Sequence, residues 1–327
     1  MASMKFNNVY INDSFTVAGH MEKDGQLTGF NLTMNDFYYN ENTFEDAEVK
    51  MQKVVIDNLL LKNKLIEQDI SFLISGDLSN QITISNEAAK HYNIPFFGIY
   101  SACATFVEGL IIASKFLDDK NDNKALTVTS SHNLNAEKQF RFPVEYGALR
   151  PETTTFTATG CVGTYLSKKS EKALAKIEGA TIGRVIDLGT TDAGHMGAVM
   201  APAAAATVVK HLQEFNRNAD YYDLILTGDL GEVGSKIFLE YMKRNYNIIL
   251  KNHEDAGTQV YVKSQETYSG ASGPVSLPLV LFNKTIKNKK NKKILLIATG
   301  SLHNTTLVNQ KKDIPAIAHA VSLEVLK

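Results

Sequence analysis

The feature that most constrains this chain is an internal repeat. The segment FLISGDL at residues 72–78 returns as LILTGDL at 224–230, and LTVTSSH at 126–132 is echoed by LLIATGSLH at 295–303. The two pairs occur in the same order in each half of the chain. A sequence that resembles itself over such a distance predicts a duplicated structural unit, in which each copy supplies the same elements.

The repeated unit has the pattern of an α/β fold. Apolar runs of strand length alternate with segments of helical periodicity along the chain. In each copy a turn of small residues leads into an apolar helix, at 101–117 and at 270–282. The charged stretch at 167–176 predicts the seam between the copies. We therefore expect two halves, residues 1–170 with the turn at Cys103 and residues 171–327.

Four further strand predictions depend on short apolar runs alone. Residues 94–100, which include Pro95, are predicted to form a buried strand that leads to Cys103. Residues 182–188 and 259–262 are predicted as short strands. Residues 294–298 are predicted as the final strand of the chain.

Cys103 lies where the predicted strand ends and the predicted helix begins. The small residues at 101–104 allow a tight turn, and the dense apolar residues that follow predict a helix buried on most sides. The N–H groups and the positive dipole end of such a helix favour an anion, including a thiolate. The alternative is that Cys103 is a small buried hydrophobic residue, as free cysteines commonly are.

Composition narrows the function classes. A net charge of -1 over 327 residues gives no general signal for nucleic-acid binding. Two cysteines without a pairing pattern predict a reducing compartment. The polar N-terminal residues predict no signal peptide, and no apolar window is long enough to span a membrane. The lysine-rich run at 284–293 is predicted to be a solvated loop rather than a patch for an anionic partner.

The duplicated unit with a cysteine at its first strand-to-helix turn resembles the thiolase and ketosynthase superfamily. That resemblance implies a five-layered αβαβα architecture, with the cysteine at the N-terminus of a buried helix. Members of the superfamily are usually two-fold dimers, so it also implies a homodimer.

A closer resemblance extends over nearly the whole chain, from about Glu22 to the C-terminus. It is to the stage V sporulation protein AD family, and it is carried by the segments at 129–133, 136–147, 183–189, 200–205, 224–230 and 314–319. The resemblance implies a protein that binds dipicolinic acid and helps to move it, with calcium, into the developing spore. It also implies membrane-protein partners of the same transport complex, and a peripheral position at the inner spore membrane.

Thiolase-type acyl transfer requires a histidine near the cysteine, and a second Cys or His. The second-half loops at 227–231, 269–274 and 298–302 contain no cysteine. The nearby His303 is predicted to lie beyond the catalytic position, and Cys161 is predicted to pack in the core. We therefore expect a binding protein without catalytic residues. The alternative is an acyl-transfer enzyme that uses Cys103, with His132 as an unusual base.

A dicarboxylate ligand requires donors or cations in an apolar-walled site. Cys103 offers helix N–H groups, and Ser131 and His132 follow a strand end, where α/β proteins bind ligands. Arg141, one of five arginines, has the planar fork that suits a carboxylate. Its alternative is an internal salt bridge, and that of His132 is a hydrogen-bonded structural role. The predicted ligand set also includes Thr299 and Gly300, and no cofactor or metal ion is predicted.

Overall fold

The protein is described by a computed structural model that covers residues 1–119, 123–140 and 150–326. Its strands are β1 Ala2–Lys5, β2 Tyr10–Ala18, β3 Leu32–Thr33, β4 Phe72–Gly76, β5 Phe96–Gly98, β6 Lys124–Ser131, β7 Phe156–Thr157, β8 Gly160–Ser167, β9 Ala175–Ile182, β10 Leu224–Thr227, β11 His253–Asp255, β12 Ala271–Ser272, β13 Lys293–Ser301 and β14 Ala316–Val325. Its helices are α1 His20–Lys23, α2 Phe44–Lys62, α3 Thr83–Ala89, α4 Thr105–Asp119, α5 Asn133–Phe140, α6 Met196–Phe215, α7 Gly231–Tyr246, α8 Ser276–Asn283 and α9 Thr305–Asn309.

The strand order repeats the duplication seen in the sequence. The first half is ordered β5-β4-β6-β8-β2 and the second β11-β10-β13-β14-β9. In both halves the first three of these strands are parallel, and the next two pairings are antiparallel. The echoed segments are therefore the same two neighbouring strands in each half, β4 and β6 or β10 and β13. Strands β2 and β9 pair with each other, so the strands of the two halves form one continuous sheet.

Helix α4 forms the centre of the molecule. It packs against β4 and β6 of the first half and against β13 and β14 of the second. Its ring at Phe106 meets Phe282 of α8 edge-on, with 6.2 Å between ring centroids. Nine residues of α4 are buried, as its dense apolar sequence predicts. The start of this helix, next to Cys103, is therefore held by both halves.

Two of the strand predictions are wrong, and the strand predicted at 294–298 is present as part of β13 but is not the last. The strand predicted at 182–188 lies earlier, at β9, and Ile186 makes only an isolated bridge to Ala316. Instead of a strand at 259–262, there is a short 3-10 helix at Ala256–Gln259, after β11. The final strand is β14, not β13. Its sequence AIAHAVSLEV has three alanines, and one His, one Ser and one Glu interrupt its apolar residues, which weakened the strand signal.

The strand before Cys103 is shorter and more exposed than predicted. Strand β5 pairs with β4 alone and lies at the end of the strand order. Its Phe97 is 45% exposed, because an edge strand is covered on fewer sides than a central one.

Candidate functional site

The turn at Cys103 is stabilised by its own hydrogen bonds. Ala102 has a left-handed backbone, with φ 49°. The Thr105 hydroxyl donates to the Ala102 carbonyl at 2.7 Å and accepts the Ser101 N–H at 3.1 Å. These contacts fix Cys103 between β5 and α4, at the carboxyl ends of the parallel strands.

Two N–H groups at the start of α4 already have acceptors inside the turn. Ala104 donates to the Ser101 carbonyl at 3.0 Å, and Thr105 donates to that of Ala102 at 3.4 Å. Binding of a carboxylate by the helix N–H groups thus stays a prediction, and these two donors would have to be released for it.

The second half reaches the turn through Gly300 and His319. A Cβ atom on Gly300 would collide with the Ser101 carbonyl oxygen, so only glycine lets the end of β13 approach this closely. His319 of β14 accepts the Gly183 N–H at Nδ1 (3.2 Å), which leaves the proton on Nε2. That nitrogen faces the Ser101 hydroxyl at 3.4 Å. Strand β14 therefore supports the turn at Cys103 through the ring of His319.

A buried carboxyl lies next to Cys103. Asp229, just after β10, accepts the Thr299 hydroxyl at 2.6 Å and the Gly273 N–H at 3.3 Å. The Cys103 side chain also hydrogen-bonds to it. Burial raises the pKa of Asp229 to about 6, against the lowering effect of these hydrogen bonds. Asp229 thus links Cys103 to Thr299, one of the predicted ligand residues.

Cys103 opens into a small inner cavity of about 30 Å³. Its lining comes from both halves: Leu78, Ala102, Cys103, Ala136, Glu137, Thr157, Met196, Ser272, Ser301 and His303. Glu137 is buried and accepts a hydrogen bond from Arg150 at 2.8 Å. His303 lies 3.0 Å from the Ser301 hydroxyl through Nδ1. His303, which the sequence predicts to lie beyond the catalytic position, lines the same cavity as Cys103.

A larger outer cleft of about 400 Å³ adjoins this cavity and shares Leu78 and His303 with it. It is lined by three segments, at residues 78–82, 98–100 and 302–304. The first two segments follow strands of the first half, and the third follows β13 of the second half. The two spaces together form the candidate site.

The other predicted ligand residues have mixed placements. The Ser131 hydroxyl is fully buried and donates to the Ala158 carbonyl at 2.7 Å. His132 donates from Nε2 to the Phe37 carbonyl at 2.8 Å and stacks on Phe44. Burial lowers its pKa to about 4, so it is neutral at pH 7. His132 lines neither space, which favours the structural interpretation.

The predicted roles of two arginines and of Cys161 can also be compared with the structure. Arg141 lies outside the described residues, so its predicted role stays a prediction. Arg150 forms a salt bridge with Glu137, within reach of the inner cavity. Cys161 is fully buried on β8, which confirms its predicted place in the core. Within the described residues, no group of three or more His, Cys, Asp or Glu side chains could hold a metal ion.

Sequence reasoning missed Asp229, Glu137 and His303 as members of the site. One of them was signalled by the repeat, since Asp229 is the counterpart of Asp77. Whether these three residues lie near Cys103 depends on how the two halves pack together, and no local sequence pattern predicts that packing.

The fold places the chain in a known class. Its structure resembles that of 3-oxoacyl-[acyl-carrier-protein] synthase III from Aquifex aeolicus VF5, at 13% identity and a TM-score of 0.55, over 97% of this chain and 99% of that one. It also resembles a single-residue variant of OleA from Xanthomonas campestris, at 14% identity and a TM-score of 0.61, over 98% and 99% of the two chains. The chain therefore has the thiolase-like α/β fold, as predicted.

Sequence comparison gives the family. The model of the family "Stage V sporulation protein AD (SpoVAD)" matches residues 2–324. The stage V sporulation protein AD of Bacillus subtilis (strain 168) is 39% identical over 320 residues, which are 97% of this chain and 94% of that protein. The chain belongs to the stage V sporulation protein AD family, which confirms the resemblance drawn from its sequence segments.

Proposed function

We propose that this protein binds dipicolinic acid, a pyridine ring with two carboxylates, in support of its uptake into the developing spore. The observation that carries the proposal is a cleft of small-molecule size beside the Cys103 turn, in a chain of a sporulation family. Apolar walls and uncharged donors in this cleft suit a flat ring with acidic substituents. The ligand itself is suggested by the family resemblance.

The surroundings of Cys103 support a binding role without acyl transfer. A cysteine nucleophile reacts as the thiolate, which a nearby cation or base stabilises. Here the side chain hydrogen-bonds to Asp229. A carboxylate at this position opposes a second negative charge on the sulfur. This arrangement is the reverse of the one that activates a thiol.

One observation favours a second candidate function, an acyl-transfer enzyme. His303 and Cys103 line the same cavity, and a Cys–His pair is a common catalytic arrangement. Incubation with acyl-CoA thioesters followed by intact-protein mass spectrometry distinguishes the two functions. The binding proposal predicts an unmodified chain, whereas a stable acyl adduct on Cys103 would support the enzyme.

We also propose that the protein works with membrane proteins of a dipicolinate transport complex. In the described part of the chain, no helix is both long and apolar enough to cross a membrane. The family resemblance supplies the membrane location and the partners. Co-purification of the chain with membrane proteins from sporulating cells tests this part, and its failure in gently solubilised membranes counts against it.

A homodimer is proposed from the resemblance and from the edge strand. Phe97 on β5 stacks on Phe116 of α4 with 5.5 Å between ring centroids, and both rings are nearly half exposed. A second copy that pairs along β5 would cover these rings and satisfy the free edge of the strand.

Isothermal titration calorimetry of the wild-type chain with dipicolinate tests the proposed function. We expect saturable binding, and weaker binding of a pyridine that bears a single carboxylate. The same titration with added calcium measures whether the cation contributes. Absence of a binding heat at several temperatures, in a folded sample, would contradict the proposal.

A further inference from the structure

The loop between α8 and β13, at residues 284–292, concentrates positive charge on a chain that is acidic elsewhere. Five of its nine residues are lysine and none is acidic, whereas the whole chain has a net charge of -1. The sequence alone predicts a solvated loop at this position. Two structural features of this lysine loop, its ordered backbone and the partners of its side chains, indicate a binding surface instead.

The backbone of the lysine loop is held in a defined turn. The Asn288 side chain accepts the Lys290 N–H at 3.1 Å, and the Asn288 carbonyl accepts the Asn291 N–H at 3.0 Å. The Asn291 side-chain amide donates to the Thr285 carbonyl at 3.1 Å. Lys289 and Lys290 therefore lie at the tip of a turn that two asparagines hold together. Little backbone order has to be gained when such a loop binds a partner.

Acidic residues contact the base of the lysine loop. The Asp223 carboxylate accepts the N–H groups of Lys292 and Lys293, each at 2.7 Å. The Lys293 ammonium pairs with Glu178 at 2.8 Å and with Glu324 at 3.3 Å. These contacts fix the point at which the loop enters β13, and they neutralise the charge of Lys293.

The lysines nearer the tip have a different environment. Lys287, Lys289 and Lys290 are all exposed. Among the residues that the structure describes, no carboxylate forms a salt bridge with any of these three. The positive charge of the tip is therefore available to an anion outside the chain.

The residue types of the lysine loop favour one class of anionic partner. It contains neither arginine, whose planar fork grips single phosphates and guanine edges, nor an aromatic ring on which a base could stack. Lysine is a hydrated point charge on a flexible stem. A row of such charges suits a surface that carries many phosphates without a fixed pattern.

We propose that the lysine loop binds the anionic phospholipid headgroups of a membrane surface. Each lysine close to such a surface strengthens the attachment by about fivefold. The three lysines of the tip together give a reversible attachment that salt weakens. This inference goes beyond the proposed function, because it assigns a second surface that requires neither dipicolinate nor a protein partner.

The lysine loop and the candidate site lie at opposite ends of one strand. Strand β13 spans nine residues, Lys293–Ser301, so its two ends are roughly 25–30 Å apart. Residues 302–304 of the outer cleft follow its far end. Attachment through the loop therefore leaves the cleft unobstructed, and binding of lipid and of dipicolinate should be independent.

Co-sedimentation of the full chain with sucrose-loaded vesicles tests the proposal. One set of vesicles is phosphatidylcholine alone, and in the other about a third of the lipid is phosphatidylglycerol. We expect binding to the anionic set only. It should weaken by about tenfold or more when the salt concentration rises from about 0.1 M to about 0.5 M.

Two double variants change the charge of the tip. Lys289→Glu/Lys290→Glu reverses two charges, and we expect binding to anionic vesicles to fall by about 25-fold or more. Lys289→Arg/Lys290→Arg keeps both charges and should bind as wild type does. Should the glutamate variant fail to fold by circular dichroism, Lys289→Gln/Lys290→Gln removes the same charges, with an expected loss of about tenfold or more.

Lys311→Glu/Lys312→Glu is the matched control. It makes the same change in net charge at an adjacent, exposed pair of lysines, in the turn after α9 and therefore beyond the far end of β13. Charges that lie more than a Debye length from the lipid are screened, so its binding should stay within about threefold of wild type.

Four results would overturn the lysine loop as a lipid-binding surface. They are no binding of wild type to anionic vesicles, equal binding to both kinds of vesicle, wild-type binding by the folded Lys289→Glu/Lys290→Glu variant, and an equal loss in the control. Tighter binding to single-stranded RNA than to anionic vesicles at the same phosphate concentration would make nucleic acid the partner, and would also overturn it.

Discussion

Cys103 illustrates how one residue type takes its role from its neighbours. It lies at the turn before α4, and His303 lines the same cavity. Yet its hydrogen bond goes to Asp229, which is itself held by Thr299. We therefore interpret the Cys103 side chain as a small hydrogen-bond donor to Asp229 in the wall of the inner cavity.

Cys103→Ser should therefore keep dipicolinate binding within about threefold of wild type, since Ser is nearly isosteric and can donate to Asp229 in the same way. Calorimetry on the purified variant measures this. Complete loss of binding in a folded Cys103→Ser protein would make the sulfur essential and would favour the enzyme.

His319 contributes to the same turn through its two ring nitrogens. Burial lowers its pKa to about 4, so it is neutral at pH 7 and can accept from Gly183 while it faces Ser101. His319→Ala removes a buried ring and the acceptor of the part-buried Gly183 N–H, and we expect the free energy of unfolding to fall by about 1–3 kcal/mol. Urea denaturation at pH 7 measures the change. A loss below about 0.5 kcal/mol would show that water replaces the ring.

At the scale of elements, the free edge of β5 carries the dimer proposal. Phe97→Glu places a charge on the exposed ring stack and should leave a monomer, because a buried unpaired carboxylate is costly at an interface. Sedimentation equilibrium of the two proteins measures the mass. Leu61→Glu is the control, since Leu61 is 77% exposed on α2 and takes no part in the Phe97–Phe116 ring stack. A wild-type chain that sediments as a monomer would contradict the dimer.

The elements also show what the sequence can predict. Strands β4, β6, β10 and β13 repeat strong apolar patterns, and the α/β fold followed from them. Strand β14 was missed because three alanines and single polar residues interrupt its run of Ile, Val and Leu, although the strand is buried and pairs with both β13 and β9.

The site was predicted less completely than the fold. Cys103 was predicted from the small residues of its turn, and Thr299 and Gly300 lie beside that turn in the last residues of β13. Leu78 and His303 join the two spaces only through packing between the halves. The volume of the outer cleft, and the exclusion of His132 from both linings, are tertiary properties without a local pattern.

At the scale of the whole molecule, Glu22 connects the two halves. It follows β2 of the first half, accepts the Thr159 N–H at 3.0 Å and a hydrogen bond from the Tyr261 hydroxyl of the second. Burial raises its pKa from 4.5 to about 7, against the hydrogen bonds that lower it. A raised pKa means that the folded state holds the proton more tightly than the unfolded state.

Stability from this group is complete below pH 4.5 and is lost as the pH rises through 7. Between pH 5 and pH 8, the loss of this contribution from Glu22 should reduce the free energy of unfolding by about 2 kcal/mol. The Glu22→Gln side chain cannot ionise. Between pH 5 and pH 8 its free energy of unfolding should therefore fall by about 2 kcal/mol less than that of wild type. Urea denaturation at both pH values measures the difference, with the exposed Glu87→Gln as control. Parallel declines in wild type and Glu22→Gln would contradict the assignment.

We propose that the site beside Cys103 binds dipicolinate without reacting with it. A crystal structure of the wild-type chain grown with dipicolinate tests this most directly. We predict density for the ring between residues 78–82 and 302–304, next to an unmodified Cys103. An empty cleft at saturating ligand, or a covalent adduct on the sulfur from a co-crystallised acyl-CoA, would contradict the account.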